Sequence, residues 1–431
     1  MKMKVYGKKL VCRLLVVVMV ISLFPAISAV GYESQTEDGW KYNWLSNGNI
    51  VIIGYVGEET NVTIPSEIEG TRVTAIGDWQ YFNKPITSIT IPNSIEDISI
   101  YWFSGFHKSE NWHKLESINV DSNNKNYSSE NGVLYTKDKL ELLLYPQGKN
   151  GSRFVIPNGV KKIGYFAFTN CVQLTRVSIP KGVMEISTCA FKGCKSLKDI
   201  TIPNSVALIG ANVFRDCAQL TRITIPNSVT EISTCAFMGC SSLTDISIPN
   251  SVTKISCDAF EYCTSLKRVV IPKSVTSIGS NAFYHCKKLK VVKFMGKKPK
   301  FFPGNPWEQN PAVFEPVFND THKELIIYYP KKYKKSWSRY TYYRKKPYCS
   351  VKKIKINKKK ITLKKKKKRQ LRYIITPKSA TNKVVRWKSS NPKVATVSKK
   401  GIVKARKKGK CTITVITKDG NKKARCKIIV K

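Results

Sequence analysis

Six cysteines could carry the chemistry of thiols, and they are spaced 23 residues apart at Cys171, Cys194, Cys217, Cys240, Cys263 and Cys286. Thiols bind zinc, form disulfides or act as nucleophiles. A zinc site needs convergent ligands such as a Cys-x-x-Cys pair, and the chain contains none. Equivalent side chains in stacked parallel strands point the same way, which disfavours the torsion angle of a disulfide. We therefore predict free thiols that pack as small apolar side chains in a core.

The histidines offer a single candidate for catalysis. His285 adjoins Cys286, so a cysteine–histidine nucleophilic pair is one alternative. Adjacent residues in a strand or turn point apart, which instead favours a surface histidine. The chain contains no H-E-x-x-H, G-x-S-x-G or phosphate-loop motif. The sequence thus predicts no catalytic site and no cofactor, and leaves an enzyme as the third hypothesis behind a binding protein and a polymer binder.

The elements that must position the cysteines form a repeat of the same length. A phenylalanine precedes each cysteine by three residues and a leucine follows it by three, as in Phe191 and Leu197 around Cys194. A fixed period of this length indicates a solenoid, whose coils bury their apolar faces by stacking. The segment "LTRVSIP" alternates like a strand that proline ends, and "AFKGC" predicts one helical turn. We expect the strands of successive coils to lie parallel, about 4.8 Å apart.

Charge divides the chain into two regions. The 431 residues carry a formal net charge of +47, from 75 Lys+Arg and 28 Asp+Glu. Residues 297–431 contain 43 basic and 5 acidic residues, whereas the preceding region is close to neutral without its basic N-terminus. This excess is larger than solubility requires and implies an anionic partner or surface. It also indicates a domain boundary near Lys297.

The first 29 residues have the pattern of a secretory signal peptide. A basic lead precedes "LLVVVMVISLF", which is too short to span a bilayer. The small residues of "PAISAV" suit cleavage near Ser28 or Ala29. An uncleaved anchor helix is the alternative. No second long apolar segment follows, so we expect an exported protein whose mature chain has no transmembrane segment.

The remaining chain is predicted to form five segments. Residues 30–100 are an N-terminal cap with the first degenerate repeats, and residues 101–158 are a repeat with a hairpin insertion. Residues 159–296 are regular repeats, residues 297–350 a C-terminal cap with a basic linker, and residues 351–431 a small β-sandwich. The predicted sandwich core consists of Trp387, Val394, Val397, Ile402, Ile413, Val415, Ile428 and Val430. We expect a monomer with a mainly β fold and short helical turns.

Two stretches resemble known families. The unit "IPxSVTxIxxxAFxxCxxLxxIxIP" resembles the BspA-like leucine-rich repeat family over roughly Tyr42 to Tyr333, and "NGVLYTKDK...LLYPQG" is similar to a spacer of that family. The stretch "TPKSATNKVVRWKSSNPKVATVSKKGIVKARKKGKCTITV" resembles the bacterial Ig-like domain of group two. The resemblance implies a leucine-rich repeat solenoid followed by an Ig-like β-sandwich. It implies a secreted or cell-surface protein that binds host proteins, neighbouring cells or matrix, with the Ig-like module as stalk or envelope contact, and it does not imply catalysis.

One set of exposed strand positions is a candidate partner-binding face. Arginine and aspartate alternate from coil to coil beside small hydroxylated residues, at Arg176, Ser178, Asp199, Thr201, Arg222, Thr224, Asp245, Ser247 and Arg268. One alternative is a ladder of cross-strand ion pairs that satisfies itself. The other is a polar strip that recognises a protein, because a flat sheet fits protein or glycan contact better than a small-molecule pocket.

A second set is a dense basic run near the start of the predicted sandwich. It comprises Lys358, Lys359, Lys360, Lys364, Lys365, Lys366, Lys367, Lys368, Arg369 and Arg372. The run is either a solvated face or a salt-sensitive contact for an anionic polymer such as teichoic acid, acidic glycan or extracellular DNA. Cys411 and Cys426 both face the predicted core, and a disulfide between them is the less favoured alternative.

Overall fold

A computed structural model describes residues 29–82, 84–99, 110–302, 317–338 and 343–431. The predicted signal peptide lies outside the described residues except for Ala29. The chain divides into two compact units. The solenoid unit extends to Ile326 and includes residues 342–344, and the C-terminal unit comprises residues 327–341 and 345–431. No helix in the described ranges is long and apolar enough to cross a membrane.

The N-terminal part of the solenoid unit is built from short sheets. Its strands are β1 (Ala29–Gln35), β2 (Trp40–Leu45), β3 (Ile50–Tyr55), β4 (Asn61–Thr63), β5 (Glu67–Ile68), β6 (Thr71–Phe82), β7 (Ser88–Ile91), β8 (Asp97–Ile98) and β9 (Ser117–Val120), with a 3₁₀ helix at Glu110–Lys114. Strands β1, β2 and β3 are antiparallel, and β3 continues in parallel to β6 and then β8. Strands β4, β7 and β9 form a second, parallel sheet. Trp40, Tyr42 and Ile52 are buried in the same core cluster as the first repeats.

An antiparallel meander of three strands, which includes the predicted hairpin, interrupts the repeats between residues 127 and 144. It consists of β10 (Tyr127–Glu130), β11 (Val133–Thr136) and β12 (Glu141–Leu144). Asn131 and Gly132 join the first two strands with φ angles of 50° and 74°. Positive φ at both central residues is what a two-residue hairpin turn needs, and Asn-Gly adopts it readily. Strand β12 then pairs in parallel with the next repeat and so returns the chain to the stack.

Each regular coil contributes two strands. They are β13 (Arg153–Val155), β14 (Lys162–Ile163), β15 (Arg176–Ser178), β16 (Glu185–Ile186), β17 (Asp199–Thr201), β18 (Leu208–Ile209), β19 (Arg222–Thr224), β20 (Glu231–Ile232), β21 (Asp245–Ser247), β22 (Lys254–Ile255), β23 (Arg268–Ile271), β24 (Ser277–Gly279), β25 (Val291–Phe294) and β26 (Lys300–Phe302). Odd-numbered strands pair in parallel with odd ones and even with even, in register at the repeat length. We call the outward surfaces of these two series the first-strand face and the second-strand face. In the described coils, no strand pairing links β17 to β19 or β18 to β20.

The third side of each coil is a run of turns rather than the predicted helical turn. Alternate amides bond locally and to the next coil: the Ala190 amide donates to the Ser187 carbonyl at 3.3 Å, and the Phe191 amide donates to the Val213 carbonyl at 2.9 Å. Cys189 and Gly193 adopt φ angles of 60° and 72°, which an α-helix cannot contain. The segment therefore turns every second amide toward the neighbouring coil. This ladder crosses the break in the strand sheets, where the Asn212 amide donates to Thr234 at 3.0 Å.

The core of the solenoid unit is a column of stacked phenylalanines. Successive rings from Phe168 to Phe283 lie 4.9–5.6 Å apart with interplanar angles of 7–11°. The repeat leucines and isoleucines surround this column and are fully or almost fully buried. Buried aromatic side chains contribute large apolar areas, and the contact between offset rings adds about 0.5–1.5 kcal/mol for each pair. Stacking of coils thus provides the core that no single coil could form.

Most of the remaining elements belong to the C-terminal unit. The elements after residue 325 are β27 (Ile326–Pro330), a 3₁₀ helix (Lys331–Tyr333), α1 (Lys334–Ser338), β28 (Arg344–Tyr348), β29 (Lys353–Ile356), β30 (Lys360–Leu363), β31 (Lys368–Gln370), β32 (Tyr373–Thr376), β33 (Val385–Ser389), β34 (Ala395–Val397), β35 (Ile402–Ala405), β36 (Gly409–Thr417) and β37 (Lys423–Val430). Strands β27 and β28 begin with residues of the solenoid unit. The sandwich strands are arranged as β30-β37-β36-β33, β31-β35-β34 and the pair β29-β32. The predicted mainly β fold, a solenoid followed by a small β-sandwich, is confirmed.

One predicted sandwich-core residue is wrong. Ile402 is 38% exposed, whereas its neighbour Val403 is fully buried. Strand β35 alternates with the opposite phase from the one expected: Val403 and Ala405 are buried, whereas Ile402 and Lys404 are exposed. Val394, Val415 and the other predicted aliphatic core residues are buried, except Val397, which, like Trp387, is partly buried.

Candidate functional site

The first-strand face brings the predicted partner-binding residues together in two columns. In each of β15, β17, β19 and β21 the central residue is buried and its two neighbours are exposed. The parallel register sets Arg176 beside Asp199 and, beyond the break between β17 and β19, sets Arg222, Asp245 and Arg268 side by side. These first exposed residues follow one another at 23-residue intervals, and we treat them as one column. The second column contains Ser178, Thr201, Thr224 and Ser247. The alternation of side chains along a strand separates the two columns by about 6.6 Å.

Ion pairing along the charged column is limited to one step. The Arg176 Nη2 atom lies 3.1 Å from the Asp199 Oδ2 atom, and both side chains are more than half exposed. Within the described residues, Arg222, Asp245 and Arg268 form no ion pair, although Arg222 and Asp245 are register partners. Exposed pairs contribute little and cost side-chain entropy, so register alone does not enforce them. The alternative of a continuous ladder of ion pairs is therefore met at one position only. The charges of Arg222, Asp245 and Arg268 can still interact with a partner.

Sequence reasoning missed the cations that flank this face. Lys198 and Lys267 are exposed immediately before β17 and β23, and Lys290 immediately before β25. The Lys290 ammonium lies 3.6 Å from a carboxylate oxygen of Glu324. These three lysines are separated by multiples of the same 23 residues that separate the aligned positions of the first column. The sequence period alone could therefore have predicted that they lie on this face.

The second-strand face carries acids that already have partners. Glu231 pairs with Lys254 at 2.9 Å, and Glu141 pairs with Lys162 at 3.1 Å. Burial raises the pKa of the Glu141 carboxyl, and the Lys162 ammonium opposes that shift. Glu231 also accepts a hydrogen bond from the Ser256 hydroxyl at 2.6 Å. This face is therefore more balanced in charge than the first-strand face.

The cysteine ladder is a structural feature of the core. Each thiol from Cys194 to Cys286 donates to a phenylalanine carbonyl of the preceding coil, at 2.9 Å from Cys194 to Phe168 and 3.1–3.2 Å for the others. All six ladder thiols are free and buried, as predicted. Burial raises the pKa of Cys194 to about 12, which keeps the thiol protonated at neutral pH. No group of potential metal ligands occurs among the described residues.

The neighbouring His285 does not form a nucleophilic pair with Cys286. The imidazole Nδ1 atom lies 2.6 Å from an oxygen of Asp320, whereas the Cys286 thiol donates to the Phe260 carbonyl at 3.2 Å. Asp320 also contacts the Lys287 ammonium, and this hydrogen bond is the main cause of the lowered pKa of the Asp320 carboxyl. The two side chains thus point to different partners, as expected for adjacent residues in a turn.

The predicted polymer-contact residues lie around β30 and β31 in the C-terminal unit. All ten are exposed, from Lys358 to Arg372. The register places Lys360 opposite Lys427 and Lys368 opposite Lys404. Residues 351–431 contain 31 basic residues and one acid, Asp419. An Asp419 oxygen accepts a hydrogen bond from the Val351 amide at 3.0 Å, so this acid is engaged locally.

The two other cysteines of the sandwich are free and buried. Cys411 lies opposite Ile428, and Cys426 lies opposite Ile413, so the two cysteines occupy diagonal rather than facing positions. Burial raises the pKa of both thiols. The less favoured disulfide is therefore not formed.

Two family models match parts of the chain, one in each unit. Residues 58–135 and 147–240 match the BspA type leucine rich repeat region in six copies. Residues 350–428 match the bacterial Ig-like domain of group 2. The chain is a BspA-like leucine-rich repeat protein with a C-terminal bacterial Ig-like domain. Proteins of this kind are typically found on bacterial cell surfaces and act through protein interaction, and both modules are typically binding modules rather than enzymes.

Two solved structures of leucine-rich repeat proteins from bacteria are similar to this chain. A leucine-rich repeat protein from Eubacterium ventriosum is 23% identical, with a TM-score of 0.48 over 68% of this chain and 95% of that one. One from Bacteroides ovatus is 24% identical, with a TM-score of 0.45 over 68% and 70%. Separately, 75 residues are 43% identical to a kappa-carrageenase from Pseudoalteromonas carrageenovora. That stretch is 17% of this chain and 19% of the carrageenase, so the chain spans about a fifth of that relative.

Proposed function

We propose that this is a secreted or cell-surface adhesin-like protein whose first-strand face binds proteins of a host, of neighbouring cells or of the matrix. The observation that carries the proposal is the exposed double column of β15 to β23, in which three charges have no ion-pair partner among the described residues. Small hydroxylated residues beside them leave a flat surface on which another protein can approach the sheet closely. Charged and polar groups on such a surface provide specificity and orientation for a protein partner.

Bulky substitutions on the two faces test this proposal in the full chain. Thr224→Arg with Ser247→Arg places two large side chains on the first-strand face. Thr230→Arg with Thr253→Arg adds the same residues to exposed threonines of the same coils on another side. We expect the first variant to lose binding to animal cells and purified matrix proteins at high salt, and the control variant to keep it. Equal binding by both variants would contradict the proposal.

A second function is favoured by one specific observation in the C-terminal unit. Lys360 faces Lys427 and Lys368 faces Lys404 across paired strands. Directly opposed like charges destabilise a sheet, and a bound polyanion would relieve that repulsion. We propose that this basic surface binds an anionic polymer, which could retain the protein on an envelope or matrix.

The salt dependence of binding tests this second function. In the full chain, Lys364, Lys365, Lys366 and Lys367 are replaced together by glutamine. A matched control replaces Lys161, Lys181, Lys195 and Lys273, which are exposed in the solenoid unit. For duplex DNA, each lost phosphate contact should reduce the slope of log K against log salt by about 0.9. An unchanged slope in the first variant, or an equal change in the control, would exclude the basic run as the binding site.

A further inference from the structure

The first-strand face is the most asymmetric in charge of the three sides of the regular coils. Its strands and the residue before each strand carry eight cations, Arg153, Arg176, Lys198, Arg222, Lys267, Arg268, Lys290 and Lys293, and two acids, Asp199 and Asp245. On the second-strand face, acids and lysines are instead paired with each other. The partner of the first-strand face should therefore be acidic, since complementary potentials steer association and suppress wrong partners.

The spacing of the charges limits what kind of acidic partner fits. Arg222 and Arg268 stand two coils apart, with Asp245 between them in the same column. Two strand spacings amount to about 9.6 Å. Asp245 is exposed and forms no ion pair within the described residues, so its charge repels an anion placed midway between the arginines. A uniformly charged polyanion is thus disfavoured, and a partner with carboxylates at intervals of about 10 Å is favoured.

The second column separates two polypeptide conformations that meet this spacing. A polyproline II segment returns to the same side every third residue, at about 9.3 Å, and an α-helix does so every seventh residue, at about 10.5 Å. Thr224 and Ser247 are exposed beside the arginines, with hydroxyl groups that can donate. A polyproline II segment has free backbone carbonyls to accept such bonds, whereas those of a helix are used internally. The hydroxyl column therefore favours the extended segment.

We propose that the first-strand face binds an acidic polypeptide segment in polyproline II conformation, with Asp or Glu at every third residue. The segment lies along the solenoid axis, across β19, β21 and β23. Its carboxylates pair with Arg222 and Arg268, and its uncharged residues pass over Asp245. This inference rests on the proposed function, because it names the partner class of the same face.

Peptide probes and charge variants of the full chain test the proposal. One probe is a Glu-Pro-Pro repeat long enough to span β15 to β23, and the second is an isomer with the same composition and clustered glutamates. Heparin serves as a uniform polyanion. Arg222→Glu with Arg268→Glu should weaken binding of the repeat peptide about tenfold, from two exposed ion pairs of about 0.7 kcal/mol each. The control, Lys161→Glu with Lys195→Glu, makes the same charge change on the other sides and should have little effect.

Asp245→Lys provides the readout that a generic basic patch would not give. The native protein should prefer the repeat peptide over the clustered isomer by at least about threefold, a difference of about 0.7 kcal/mol. Asp245→Lys should abolish this preference and tighten heparin binding more than peptide binding. Equal affinity of the native protein for both peptides, or an unchanged preference for the repeat peptide in Asp245→Lys, would overturn the proposal.

The outcomes separate this inference from the function on which it rests. If matrix proteins bind and Thr224→Arg with Ser247→Arg abolishes that binding, but neither peptide binds, the adhesin function holds and the acidic-segment inference fails. If the repeat peptide binds with the expected preference while neither cells nor matrix proteins do, the inference holds and the adhesin function fails.

Discussion

Replacing Cys194 should reduce the amount by which the free energy of unfolding falls at alkaline pH. The Cys194 thiol is fully buried, donates to the Phe168 carbonyl at 2.9 Å, and has its pKa raised by burial from 9.0 to about 12. A raised pKa in the folded state means that the protonated thiol is favoured there. Its contribution to stability is therefore complete below the unfolded pKa and is lost as the pH rises from about 9 toward 12.

The size of the effect follows from this pKa difference. At about pH 10 an unfolded thiol is largely ionised and gains about 1.4 kcal/mol, whereas the folded thiol gains almost nothing. The pKa of every other ladder thiol is also raised, with desolvation by burial as the largest cause. The other five thiols should therefore lower the stability in the same direction as the pH rises.

Urea denaturation under reducing conditions, followed by far-ultraviolet circular dichroism, measures the difference. We expect native protein to lose about 1.4 kcal/mol more than Cys194→Ala between about pH 7 and about pH 10. Cys194→Ser is the control: it keeps a donor for the Phe168 carbonyl but does not titrate in this range, so its pH dependence should match that of the alanine variant. If all three proteins lose the same free energy, the thiol is not protected in the folded state and the reasoning fails.

Three further predictions concern the same stack. Phe214→Ala should lower the free energy of unfolding by about 3–5 kcal/mol, because it removes a ring packed 5.5–5.6 Å from both neighbouring rings. Gly193→Ala should cost about 1–2 kcal/mol in urea denaturation, since Gly193 has a φ of 72° and an added Cβ would lie 2.1 Å from the Asn170 side chain. Iodoacetamide with mass spectrometry should label the partly exposed Cys349 in the native protein and label Cys217 only on unfolding, and rapid labelling of Cys217 would contradict a closed stack.

The periodic part of the fold could be predicted because one physical requirement fixes it. The phenylalanine and cysteine positions, such as Phe214 and Cys217, recur every 23 residues. A column of such side chains can be buried only if successive coils stack. The backbone conformation of the turn segment that carries these side chains could not be predicted from the sequence period. Cys189 and Phe166 adopt φ angles of 60° and 59°, although neither residue type favours positive φ. The bonds that such amides make to the next coil impose this geometry, and those bonds depend on tertiary stacking rather than on local sequence.

In the candidate site, the sequence likewise predicted where the charged residues lie but not which of them form ion pairs. The repeat predicted correctly that Arg222 and Asp245 stand side by side on an exposed face. It predicted less well whether they form an ion pair, because the free energy of an exposed pair is close to zero and the side chains are free to face solvent. In the sandwich, the prediction that Ile402 is buried failed by one residue, since a strand of four residues gives too few alternations to fix its phase.

Strand register pairs opposite charges in the solenoid and like charges in the sandwich. In the solenoid, a step of 23 residues sets Arg176 beside Asp199, so the surface is compatible with its own charges. In the sandwich, the register sets Lys368 against Lys404, and Asp419, the only acid of residues 351–431, is bonded to the Val351 amide. The solenoid surface can therefore select a partner by pattern. The sandwich surface instead attracts anions by its total charge, and salt should weaken that attraction more strongly than it weakens a patterned contact.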